Sequence, residues 1–201
     1  KQIRLSANYL MDFTPSVLND GRIIYTRWEY VDRPACPIQS LWAIKPDGTG
    51  LSAFYGNRVI SPGTFMDAQP IPGTNQVIAV ATNHNGSRRG GIVAIDPSKG
   101  ANSKEAVRNL TPEINIYAHR IGGGPWGNGM LDMRVRGQYE KPFAISDKRF
   151  LVSKGGTIQR RDFDANAISL ISPEGGMGWY SPMPVRKIKR PPLLFGSIAK
   201  L

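Results

Sequence analysis

The sequence predicts an all-β fold, a partial β-propeller of about three antiparallel meander blades. Three observations predict it. Glycine (22) and proline (16) make up nearly a fifth of the 201 residues, which favours many turns and short strands over long helices. Runs rich in β-branched and aromatic residues recur between polar turns, as pleated and buried strands require. The same order of parts appears three times, and repetition at this spacing marks units that stack on one another.

The first unit is PSVLNDGRIIYTRWEY, a loop, then QSLWAIKPDGTG. The second is PIPGTNQVIAVATNHNGSRRGGIVAIDPSKG. The third is PFAISDKRFLVSKGG, a loop, then NAISLISPEGG. Each opens on a proline (Pro15, Pro70, Pro142) and proceeds to a polar turn at 19–21, 73–75 or 146–148. Asn and Gly in such turns tolerate positive φ. A β-rich run follows, RIIYTRW, QVIAVAT or RFLVS, and a variable loop leads to a second, SLWAI, GIVAI or AISLI. A turn at Pro46, Pro97 or Pro173 closes the unit. The segments after it, LSAFYGN, EAVRNLT and MGWYSPM, are candidates for a further strand of each meander. The blades are expected at roughly 9–60, 61–115 and 138–185, with an insertion at 117–137 and a basic, proline-rich linker or strap at 186–201. One meander cannot bury both of its faces, so it must stack on its neighbours. A propeller closes with at least four blades. The chain is therefore expected to be a piece of a larger propeller, or to take its remaining blades from a partner.

Candidate chemistry lies in four stretches. In TRWEY, Arg27 and Glu29 share one face of a strand; they read as an ion pair or as groups on a central channel. In TNHNGSRRGG, His84, Asn85 and Arg88 read as a polar hairpin loop or as a weak anion site. One histidine is too few for a metal, which takes three or four ligands. In YAHRIGGGPWGNGM, His119, Arg120 and Trp126 read as a loop packed on the propeller or as a partner surface. Its glycines form no dinucleotide or phosphate-binding fingerprint. Asp162 and Asp164 are spaced as calcium ligands are, without the rest of a helix–loop–helix site. No Gly-x-Ser-x-Gly elbow is present, so a hydrolase triad has no support.

Composition excludes several classes. The single cysteine, Cys36, cannot form an internal disulfide or a cysteine-rich zinc site, and no paired cysteines followed by histidine are available to attach a c-type haem. The longest apolar runs are too short to span a membrane as a helix, and no signal-like stretch follows Lys1. The formal charge of +11 admits a nucleic acid or another polyanion as partner. Outside RKIKR at 186–190 and the Arg pairs at 88–89 and 160–161 the cations are scattered, so a solvated basic surface is the simpler reading.

The segment SLWAIKPDGTGLSAFYGN resembles the TolB-type, WD40-like propeller repeat, in which a strand ending in Asp-Gly-Thr-Gly leads into another strand. The longer stretch DFTPSVLNDGRIIYTRWEY resembles the propeller region of the hydrazine synthase alpha subunit family, over roughly residues 9–185. That resemblance implies a propeller, an extracytoplasmic bacterial location, protein partners and c-type haems. It carries no haem site onto this chain, so any haem chemistry is expected outside these residues.

Overall fold

The computed structural model describes residues 4–29, 38–84, 87–117, 135, 137–187 and 189–194. They form twelve strands in three successive antiparallel meanders. Blade 1 contains β1 (Met11–Val17), β2 (Ile23–Trp28), β3 (Gln39–Ile44) and β4 (Ser52–Tyr55). Blade 2 contains β5 (Thr64–Pro70), β6 (Val77–Thr82), β7 (Gly91–Ile95) and β8 (Val107–Asn109). Blade 3 contains β9 (Tyr139–Ala144), β10 (Arg149–Lys154), β11 (Thr157–Asp162) and β12 (Ala167–Ile171). A single parallel bridge, Gln39 to Thr64, joins the first two meanders into one continuous sheet.

The β-rich runs expected at 22–28, 76–82 and 149–153 are β2, β6 and β10, each the second strand of its blade. The polar turns before them close tightly. At 18–22, the Leu18 N–H donates to the Arg22 carbonyl at 2.8 Å, and Gly21 takes φ +88°, a conformation that costs glycine least.

Two expectations are corrected in the third unit. AISLI is the fourth strand of its blade, because TIQRRD, read as loop, is β11. Gly155 and Gly156, with φ of +54° and +86°, make a two-residue turn that reverses β10 directly into β11. MGWYSPM is accordingly not a further strand of the third meander.

The first strand of each blade was marked in sequence only by its proline. Pro15, Pro70 and Pro142 lie within β1, β5 and β9. These strands stand at the hub, where β5 packs against β1 on one side and β9 on the other. Apart from the single bridges at Thr64 and Tyr139, the outer edge of each hub strand has no ladder partner among the described residues, and such an edge is where a sheet tolerates proline.

Blade packing produces two cores. Ile24, Leu41 and Ala43 of blade 1 meet Val77, Ala79, Val93 and Ile95 of blade 2. The alternate residues of blade 2, Ile78, Val80, Ile92 and Ala94, meet Tyr139, Phe150 and Val152 of blade 3. Every residue of β6 and β7 is therefore buried, whereas every residue of β12 is exposed. The short turns β1–β2, β3–β4, β5–β6, β9–β10 and β11–β12 share one end, the tight-turn end, with the longer β7–β8 connection at 96–106. At the opposite end, where the longer connections leave β2, β6 and β8, the two-residue turn joins β10 to β11. After β12 the chain reaches the tight-turn end, where Pro192 and Leu194 lie against Gly21.

Candidate functional site

Each hub strand carries a bulge at the same step. The register shifts between Phe13 and Ser16 in β1, between Met66 and Gln69 in β5, and between Glu140 and Phe143 in β9. At these bulges Thr14, Asp67 and Lys141 take φ of +46°, +54° and +53°. Left-handed conformations at non-glycine residues need support from their surroundings. The support is a polar relay across all three blades. The Asp67 N–H donates to Thr14 Oγ1 at 3.1 Å, and Lys141 Nζ donates to Asp67 Oδ1 at 2.6 Å. Ser16 Oγ donates to the Ala68 carbonyl at 2.6 Å, and Thr26 Oγ1 to the Phe65 carbonyl at 2.6 Å. The Asp67 side chain is only 7% exposed, and its Oδ2 has no hydrogen-bond partner among the described residues. Asp67→Asn, which keeps the shape and removes the charge, is expected to lower stability by about 1.5 kcal/mol in urea denaturation. This is below the usual loss for a buried pair, because Lys141 retains contact with water.

Sequence reading passed over this relay. The sequence carries one trace of it, a polar residue before proline in Thr14-Pro15 and Lys141-Pro142, of which only the prolines mark the opening of a unit. Asp67 carries no such mark.

The end with the longer connections brings some of the expected residues together. Arg27 Nε donates to Glu29 Oε1 at 2.8 Å, and its guanidinium lies 5.3 Å from the centre of the Trp42 ring. Asp12 stands 3.9 Å away. Burial opposes the Arg27 charge, but Glu29 and the Tyr25 hydroxyl outweigh it and raise the arginine's pKa. This pair lies on the side of blade 1 opposite Thr26, which faces blade 2. His84 lies between blades 1 and 2. Its Nδ1 is 3.1 Å from Gln39 Nε2, and its ring meets Trp28 edge-on at 5.0 Å. Gln39 Oε1 in turn accepts from Thr64 Oγ1 at 3.3 Å, which leaves the Gln39 amide N–H to donate to His84. Arg88 is exposed, and its neighbour Arg89 pairs with Glu140 of blade 3 at 2.9 Å. Asn85, His119, Arg120 and Trp126 lie outside the described residues, as does Cys36.

A third cluster, unmarked in sequence, joins blades 2 and 3. Arg161 of β11, 5% exposed in its side chain, donates through Nη1 to Glu113 Oε1 at 2.9 Å and also to the Tyr139 hydroxyl. The Tyr139 hydroxyl donates to Glu113, and Arg161 Nη2 reaches the Ala165 carbonyl at 3.2 Å. Burial pushes the Tyr139 pKa up, with Glu113 adding to it. Burial also acts to raise the Glu113 pKa, but Tyr139 and Arg161 outweigh it and hold the carboxyl below the ordinary glutamate range.

The two carboxylates considered for calcium are otherwise engaged. Asp162 accepts from the backbone of Asp164 and Asn166, at 3.0 and 2.9 Å, and Asp164 pairs with Arg108 of blade 2 at 2.9 Å. Among the described residues no three His, Cys, Asp or Glu side chains gather as a metal set, and no helix is long and apolar enough to cross a membrane. The arrangement joins blades through paired polar groups.

No protein-family model matches the chain, and no curated protein does. Among solved structures, the chain is similar to Kuenenia stuttgartiensis hydrazine synthase, with a TM-score of 0.62 and 17% sequence identity. The match covers 90% of this chain and 22% of that one. At this identity the likeness shows the fold: an all-β partial propeller.

Proposed function

We propose that the chain is a non-catalytic propeller segment, a scaffold or interaction module of a larger assembly. One observation carries this reading. The charged and polar groups that a hub site could offer, Thr14, Asp67 and Lys141, are bound to one another across blades. The ion pairs Arg89–Glu140 and Arg161–Glu113 likewise bridge blades. The TolB-type repeat, an extracytoplasmic bacterial location and protein partners that supply further blades belong to the same proposal, through the resemblance of residues 9–185.

A second reading is favoured by the structural likeness to hydrazine synthase. In it, the chain is part of an oxidoreductase whose haems are attached elsewhere. The residues here do not fit c-type haem attachment, since the sequence has one cysteine and the described residues gather no ligand set. The visible absorption spectrum of the natural protein that contains this segment separates the two. The scaffold reading predicts no haem band in the oxidised or dithionite-reduced protein. A band that shifts on reduction supports the oxidoreductase reading and overturns the first. A polyanion role rests on charge alone, with no described site that favours it.

A further inference from the structure

Residues 177–185 follow blade 3 and lie outside the twelve strands, yet they repeat the features of a hub strand. Ser181 has φ +53° and precedes Pro182, as Thr14 precedes Pro15 and Lys141 precedes Pro142. Two residues earlier stands an aromatic, Trp179, matching Phe65 and Tyr139 in the two hub strands that pack against a preceding blade. The preceding blade also holds it in the same way. Thr26 of β2 donates its hydroxyl to the Phe65 carbonyl at 2.6 Å; Ser153 of β10 donates to the Trp179 carbonyl at 2.8 Å. Thr26 pairs with Phe13 and Ser153 with Glu140, each the residue before its own blade's left-handed position, so the two hydroxyls occupy equivalent places. The Tyr139 N–H donates to the Gly90 carbonyl at 3.2 Å, just ahead of β7; the Trp179 N–H donates to the Gly156 carbonyl at 2.8 Å, just ahead of β11. The direction also agrees. Trp179 lies by the β10–β11 turn, and Arg186 reaches the Ile145 carbonyl beside the β9–β10 turn at 2.7 Å. The segment therefore runs toward the tight-turn end, as β1, β5 and β9 do.

The face beneath it repeats as well. By register, Leu151 and Ile158 of blade 3 correspond to Ile24 and Leu41 of blade 1 and to Ile78 and Ile92 of blade 2. Those four are fully covered by the following blade. On blade 3, Ile158 is itself only 6% exposed and Leu151 is half-buried, and it is further out on the same face, on β12, that Ile168 and Leu170 remain 51% exposed. Val185, the counterpart of buried Leu18 and Ile71, is fully exposed. Among the described residues nothing pairs with the backbone of 180–185 along its outer edge.

We propose that this edge and the outward face of blade 3 together receive an antiparallel β-hairpin with alternating apolar side chains, contributed by a protein partner and completing a fourth blade. The inference rests on reading the chain as a propeller segment that takes its remaining blades from elsewhere. A strand is the occupant because all three hub strands receive one on this edge, in the register seen at Phe13–Thr26 and Glu140–Ser153. The prolines are no obstacle. Pro182 matches Pro15 and Pro142, and Pro184 matches Pro70, which pairs with Val77.

The test titrates the full 201-residue chain with a synthetic peptide copying its own residues 75–96, the β6–β7 hairpin, against a scrambled control. The expected result is one peptide bound per chain and slowed amide exchange at Tyr180, Met183 and Val185. The double substitution Ile168→Glu, Leu170→Glu is expected to weaken binding about tenfold or more. Both positions are half exposed, so the fold survives, as far-UV circular dichroism checks. No binding, or binding unaffected by the two glutamates, overturns the proposal. A concentration-dependent dimer without peptide, abolished by the same glutamates, overturns it in favour of a second copy of the chain. The Trp179 amide separates two kinds of failure. Protection there equal to that of Tyr139, without peptide binding, removes the docking surface and leaves the propeller segment standing. Free exchange at both amides removes both.

Discussion

Glu113→Ala is expected to lower stability by about 3 kcal/mol. The loss comes from the partner left behind. Arg161 is almost fully buried in side chain, and its Nε already lacks a hydrogen-bond partner among the described residues. Without Glu113 its charge keeps only the Tyr139 hydroxyl and the Ala165 carbonyl. Stranding a buried charge costs about 3–5 kcal/mol, and the lower end applies because Glu113 itself is 41% exposed. Arg161→Met in the Glu113→Ala background then removes the stranded charge and is expected to recover at least half of the loss, a coupling that a double-mutant cycle in urea measures. Acid acts on the same contact. The Glu113 pKa is depressed in the folded chain, so its contribution is present above the ordinary glutamate value and is lost as pH falls through the lowered one. The variant is expected to lack that part of the acid response. A loss below about 1 kcal/mol in Glu113→Ala contradicts a buried network at this junction.

Gly137→Ala is expected to cost a similar amount, about 3 kcal/mol, by a different route. A β-carbon there meets the Gly90 carbonyl carbon and oxygen at 2.1 Å. Backbone cannot yield as the end of a flexible side chain can. The substitution therefore separates Gly90 from Tyr139, whose paired hydrogen bonds of 2.9 and 3.2 Å close blade 2 onto blade 3. Gly73→Ala is the control. Nothing lies within 4 Å of its added β-carbon, and its φ of +75° leaves only backbone strain, about 1 kcal/mol. Thermal melts that rank the two in the opposite order show that the blades are not in contact at Gly137.

What the sequence made legible was the middle of each blade. IIYTRW, VIAVAT and RFLVSK announce strands because β-branched side chains suit a pleated surface and Asn, Gly and Asp make the turns between them. The hub strands were opaque for an equally physical reason. MDFTPSV, TFMDAQP and YEKPFA contain proline and charge, which a central strand rejects but a bulged edge at the hub accepts. TIQRRD reads as a polar loop, yet Arg161 is buried in it, paired with Glu113 from outside its blade. His84 was conspicuous in its loop, while its contact with Gln39 spans 45 residues and leaves no local trace. Arg27 and Glu29 were legible as a pair from strand alternation; that they face away from blade 2 was not, since a single strand does not say which face is inward.

Stacking of the three meanders, with blade 2 enclosed by its neighbours, is the claim on which the rest depends. Native-state hydrogen exchange tests it most directly. With blade 2 enclosed, amides of β6 and β7 are expected to exchange only through global unfolding, while those of β12 exchange much faster through local opening. Faster exchange in β6 and β7 than in β4 or β12, or three meanders that open independently, contradicts it.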